Sequence, residues 1–193
     1  DFGTISIVAS VFVIFLPFSG FGSHQSLLRF GSLNDDVSEK RSLANFLMLK
    51  GLGYQILLSV LFLLVSIFYV SRYEYILYIF IFFAIRLIGF YFFNYIQSEL
   101  RIFGNNLEFA SVNNVVNISG VLLLLILSYF FGLKGYLIAI AFTPFISLLW
   151  FKKENLKPIT ENFSFNKKEI WNYGLHSSGT ALLSDALFSA DVL

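Results

Sequence analysis

Between Tyr75 and Ser98 the only charged side chain is Arg86. A guanidinium stays charged and presents a planar fork of donors, so its chemistry in an apolar run is to grip an anion, best a carboxylate or a phosphate. Amides and small residues recur at helical spacing elsewhere. Asn106, Asn113 and Asn117 share a side with Ala110 and Gly120; Asn45, Gln55, Ser59 and Ser66 form a second stripe. Gly3, Ser6, Ser10, Pro17, Gly20 and His24 form a third. Lining a cavity, Asn113, Asn117 and Gln55 would donate to a substrate; packed between helices, they would bond to one another. Asp185 and Asp191, in the last apolar run, are candidates for binding a proton or a coupling cation. Asp185 is equally a candidate partner for Arg86, which would make that arginine structural.

Other chemistries find no residues to carry them. There is no Cys, and His24 and His176 lie far apart, so a zinc site of normal ligand spacing is missing from the sequence. Gly20-Phe-Gly22 lacks the third glycine and the strand context of a dinucleotide loop, and no Gly-Lys-Ser/Thr phosphate loop occurs. No nucleophile stands near a base. The sequence therefore predicts neither an enzyme nor a bound cofactor.

The elements that must position these residues are membrane spans. Of 193 residues, 57% are hydrophobic and 13% charged, with 25 Phe and 10 Tyr; mean hydropathy is +0.76. Soluble domains carry about 25% charged residues. The 13 Lys+Arg nearly balance the 12 Asp+Glu, which argues against a nucleic-acid partner. About 20 mostly apolar residues cross a bilayer. Runs free of charge cover residues 2–28, 51–71, 109–133 and 135–151, and residues 75–98 are broken only by Arg86. A sixth run opens at 170 and contains Asp185 and Asp191. Membrane strands are about half as long and alternate in polarity, so the expected class is all-α, a polytopic membrane helix bundle. Pro17 should kink the first span, because it withdraws a hydrogen bond from the carbonyl of Val13.

The charges then orient the bundle. With alternating spans, Arg29, Lys40, Arg41, Lys50, Arg101, Lys152, Lys153, Lys157, Lys167 and Lys168 fall on one side, against Arg72 and Lys134 on the other. Ten against two places the first side in the cytoplasm. Arg86 then lies about 16 Å deep, near the midplane, where a charge needs water or a partner. The chain opens at Asp1 and ends inside an apolar run, so it is read as a fragment, with residues 1–151 supplying five spans, 152–169 a cytoplasmic linker and 170–193 a sixth, truncated span.

Certain segments resemble the polysaccharide flippases of the multidrug/oligosaccharidyl-lipid/polysaccharide exporter superfamily. Asp1-Phe-Gly3 is similar to the end of that family's first outer turn. Residues 18–32, Phe-Ser-Gly-Phe-Gly-Ser-His-Gln-Ser-Leu-Leu-Arg-Phe-Gly-Ser, resemble its second-helix exit, with Arg29 at the cytoplasmic end. Trp171-Asn-Tyr-Gly174 and the helix running to Asp191 resemble the start of its second lobe. The resemblance implies a fragment of a two-lobe transporter in the bacterial inner membrane, moving undecaprenyl-pyrophosphate-linked oligosaccharide repeat units by alternating access. It implies a role in O-antigen or lipopolysaccharide biosynthesis, with the lipid bilayer, a polysaccharide polymerase and a chain-length regulator as partners. Read from their own positions rather than from the family, whose named positions Arg86 does not match, Arg86, Arg29, Asn113, Asn117 and Gln55 are the substrate-binding candidates, while Asp185 and Asp191 are the ion-coupling candidates. Three alternatives stand beside the flippase reading, one of them a purely structural membrane subunit. A drug/cation exporter of the same superfamily would use acidic cavity groups, and a membrane-embedded polysaccharide polymerase or acyltransferase would show a large outer loop or a His/Asp cluster.

Overall fold

The computed structural model describes residues 2–156 and 164–190, with the side chains of 3–155 and 164–184. Every regular element among them is helical: α1 (Phe2–Phe15), α2 (Ser23–Ser32), α3 (Val37–Val65), the short α4 (Ile67–Val70), α5 (Ile76–Ile102), α6 (Asn106–Phe142) and α7 (Lys167–Ala190). Short 3₁₀ segments occupy Leu16–Gly22, Thr143–Trp150 and Lys153–Leu156. Among the described residues, four stretches are long and apolar enough to cross a membrane: Gly3–Ser32, Val37–Val70, Ile76–Ile102 and Asn106–Trp150. The chain is therefore an all-α, membrane-embedded bundle.

The fourth stretch holds two of the expected spans. An unbroken helix from Gly120 to Thr143 would separate them by about 35 Å. Instead, a Cβ on Gly120 would lie 2.7 Å from Thr143 Cγ2. The reversal is at Gly132, whose φ of 56° and ψ of −133° suit only glycine. Residues 109–133 and 135–151 are thus the two arms of a helical hairpin. Its outer surface, with Val121, Leu122, Leu125 and Ile126, is exposed, as suits a face turned to lipid.

One sequence expectation needs an earlier start. The charge-free run of the second span opens at residue 51, and the polar, partly helical stretch 29–50 offers an earlier start at Ser42–Asn45; α3 begins earlier still, at Val37. Lys40, Arg41 and Lys50 interrupt the apolar run without interrupting the helix, because a helix end standing in water accepts charge. The start is set by Asp36, whose carboxylate accepts from the Ser38 backbone N–H at 2.8 Å and from its hydroxyl at 3.0 Å. Those bonds hold the Asp36 carboxyl below its ordinary pKa. The sixth run is helical as α7, but its described part, with Asn172, His176, Ser177, Ser178 and Thr180, is too polar to count among the four.

The first span breaks just after Phe15, where Pro17 enters. Gly20, Phe21 and Gly22 all take left-handed backbone angles, with φ of 56°, 52° and 70°. Glycine adopts these freely; Phe21 does so at a cost. The break creates a close crossing with α7, since a Cβ on Gly22 would strike the backbone of Gly174. Ser26 donates its hydroxyl to the Ile170 carbonyl at 2.7 Å, and Tyr54 packs at 4.8 Å on both Phe21 and Trp171.

The interior has two apolar clusters stacked along the bundle. One, at the end rich in Lys and Arg, centres on Leu27, Leu43, Leu47, Tyr95 and Ile96. The other centres on Phe12, Phe62, Phe80, Phe83 and Leu87 toward the opposite end. Arg86 sits beside the second.

Candidate anion site around Arg86

Helix α5 places Arg86 about 15 Å from its start at Ile76, with helix continuing on both sides. Phe83 and Phe90, three residues before and four after it, project from the same helical face. Phe12 reaches over from α1. The guanidinium carbon lies 5.2 Å from the Phe12 ring centre, 5.3 Å from Phe90 and 5.8 Å from Phe83. Ring faces carry partial negative charge and offset part of the cost of desolvating a cation. They accept no proper hydrogen bond, and Nε is buried without a partner. Among the described residues no carboxylate pairs with Arg86.

A cavity of about 240 Å³ opens beside it, bounded by Phe93 and by the facing arms of the α6 hairpin. Asn117, Gly120 and Thr143 line it with Arg86. The hairpin sits close because its return arm fills the spaces left by two glycines. Thr143 packs on Gly120, and Phe145 with Pro144 packs on Gly89, where a Cβ would be 2.8 Å from the Phe145 ring. The small residue one turn from Arg86 therefore seats a helix. It does not widen the cavity.

The five substrate-binding candidates divide by position. Arg86 and Asn117 share the cavity. Asn113, one turn nearer the basic end, accepts from Gln97 Nε2 at 2.7 Å and donates to the Phe109 carbonyl at 3.0 Å. Gln55 lies elsewhere, fully buried against the break in the first span. Its Oε1 accepts from Ser19 Oγ and from the Gly20 backbone N–H, both at 2.9 Å, while Nε2 donates to Ser59 at 3.2 Å. That amide replaces hydrogen bonds lost where the helix unwinds. Arg29 is exposed at the end of α2, in a separate groove with Phe30, Phe165, Lys168 and Tyr173. The ion-coupling candidates Asp185 and Asp191 lie outside the described residues and side chains. The polar stripes do not meet in one cavity: Gln55 serves the break, Asn45 donates to the Glu154 carbonyl at 3.1 Å, and only the Asn117 stripe reaches Arg86.

A second polar cluster has no counterpart in the sequence reading. Glu99, only 3% exposed, forms an ion pair with Arg41 and accepts from Asn155 Nδ2 at 2.6 Å. Arg41 also donates to Asn155 Oδ1 at 2.9 Å and stacks 4.3 Å from the Phe103 ring centre. Lys40 Nζ donates to the Ile102 carbonyl at 3.4 Å. The cluster ties α3, α5 and residues 153–156 together at the basic end. Its members are far apart in the chain, and each alone resembles an ordinary loop charge.

No protein-family model matches this sequence, and neither a curated protein nor a solved structure matches it.

Proposed function

We propose that the chain belongs to a multi-pass flippase of the bacterial inner membrane, which moves undecaprenyl-pyrophosphate-linked oligosaccharide repeat units to the outer leaflet by alternating access. One observation carries the reading: a guanidinium deep in an apolar helix has no carboxylate partner among the described residues and opens into a cavity beside an amide. Such a charge is costly in hydrocarbon unless its partner arrives as substrate. A diphosphate answers that need, because it accepts both donors of a guanidinium fork. Asn117 supplies a further donor, and the rings of Phe12, Phe83 and Phe90 hold the cation in place between substrates. The sequence resemblance to polysaccharide flippases supports the same reading. Arg29 at the basic end would meet the substrate first, a polymerase and a chain-length regulator would take the product onward, and Asp185 and Asp191 remain the candidates for ion coupling. A drug/cation exporter fits less well, because among the described residues no carboxylate lines the Arg86 cavity. The reading is tested by surface-polysaccharide export in cells that depend on the full-length protein carrying Arg86→Ala.

The orientation has its own test. At the basic end Arg41 pairs with Glu99, Lys152 lies 3.9 Å from Glu108 and Arg101 stacks on Phe109, and the bias of ten basic residues to two assigns that end to the cytoplasm. Asp35 and Lys134 are both exposed, at opposite ends. In a full-length protein otherwise free of cysteine, Lys134→Cys is expected to react with an impermeant maleimide in intact spheroplasts. Asp35→Cys is expected to react only after permeabilisation. The reverse pattern would invert the direction of transport.

A further inference from the structure

A third cavity, of about 550 Å³, lies at the charge-poor end of the bundle, remote from Arg86. It is built from the start of α1, the turn before α5 and the tip of the α6 hairpin, which contribute Thr4, Glu74, Tyr75, Tyr78, Phe131 and Lys134. Its volume falls within the range of small-molecule sites. Three aromatic side chains in it are left open: Tyr75 is 73% exposed, Phe131 63% and Tyr78 39%. Glu74 and Lys134 share the cavity, yet neither forms an ion pair among the described residues. Tyr75 holds a left-handed φ of 62°, a conformation that costs free energy in a residue with a Cβ.

We infer that this cavity is a saccharide-binding site. A pyranose has one face of C–H groups, which rests on aromatic rings, and a rim of hydroxyls, which both donate and accept. The cavity offers the matching set: tyrosine and phenylalanine rings for the apolar face, a carboxylate to accept from hydroxyls, and an ammonium and the Thr4 hydroxyl to donate to them. A lone anion would be met by Glu74, and a lone cation by Lys134. A neutral polyol satisfies both. Aromatic residues also gather at membrane interfaces for their amphipathic character alone, but an interface belt does not require an unpaired carboxylate and ammonium in one cavity. The inference deepens the flippase reading and rests on it for its biological setting. The Arg86 cavity would hold the diphosphate, and this one, at the end assigned to the outer face, would receive the emerging sugars.

The test uses the full-length protein in nanodiscs and the free repeat-unit oligosaccharide, released from the cells' own lipid-linked pool by mild acid and so lacking diphosphate and lipid. Saturation-transfer NMR is expected to show transfer to the sugar C–H protons with wild-type protein. Tyr75→Ala/Tyr78→Ala should weaken binding at least tenfold. Glu74→Gln, an exposed isosteric change that leaves packing alone, should weaken it about threefold. Arg86→Ala should bind the free sugar as wild type does. No transfer with wild type, or equal transfer with the tyrosine and glutamine variants, would overturn the site and leave these tyrosines as interface residues only. Because the probe carries no phosphate, failure here is distinguishable from failure of the transport reading, which is decided by Arg86.

Discussion

Arg86→Ala is expected to abolish export of surface polysaccharide while the full-length protein remains inserted at normal abundance. Two charge-assisted hydrogen bonds from the guanidinium to a diphosphate contribute about 3 kcal/mol together, a roughly hundredfold loss when removed. Abundance should hold because the substitution deletes a half-buried charge that no described carboxylate pairs with, and it leaves Phe12, Phe83 and Phe90 in contact with apolar neighbours. Arg86→Lys should retain partial export, since it keeps the charge but loses the planar fork. Surface polysaccharide measured against immunoblotted protein gives both readouts. Should Arg86→Ala lower abundance, with Asp185→Asn restoring it, Arg86 would be half of a structural pair. Normal export by stable Arg86→Ala would end the anion-site account.

The second large effect is expected at the basic end. Arg41→Met removes the cation from a carboxylate that is almost wholly buried, leaving Glu99 with the Asn155 amide. Breaking one side of a buried ion pair costs about 3–5 kcal/mol, while replacing both sides by apolar groups is often close to neutral. Folded proteins have only about 5–15 kcal/mol in hand. Arg41→Met should therefore reduce the folded, detergent-extractable protein severalfold and lower its melting temperature, and Arg41→Met/Glu99→Met should recover most of both. An additive double variant would show that the pair does not hold α3 to α5. The prediction separates this cluster from Arg86, where the charge is read as waiting for substrate.

What the sequence reveals about this chain follows the range of the interactions involved. The spans are legible because a bilayer-crossing helix excludes charge over its whole length, so residues 75–98 and both hairpin arms stand out, and the turn near 132–134 with them. Pro17 likewise announces a break, since its ring removes a backbone donor at a fixed place. The left-handed turn at Phe21 was not legible, because it depends on Gly22 meeting Gly174 far along the chain. The start of α3 was legible only in part: residues 29–50 read as polar and partly helical with a start at Ser42, five residues past Val37, while Asp36, three residues before Glu39, was the available capping signal. Gln55 shows the limit of reading polar stripes. Its spacing says that one face is polar, but whether that face meets a cavity or an unwound helix is decided by Ser19 and Gly20, more than thirty positions away. The Arg41–Glu99–Asn155 cluster is of the same kind, assembled from three segments that no local pattern connects.

On the proposed function, Arg86 holds the diphosphate of a lipid-linked saccharide as it crosses. The most direct test is translocation in proteoliposomes of the full-length protein, using a fluorescent polyprenyl-diphosphate oligosaccharide whose exposure is read by an impermeant quencher. The account predicts that wild type equilibrates the probe between leaflets, that Arg86→Ala does so about a hundredfold more slowly, and that Arg86→Lys falls between them. Equal rates for wild type and Arg86→Ala would contradict it.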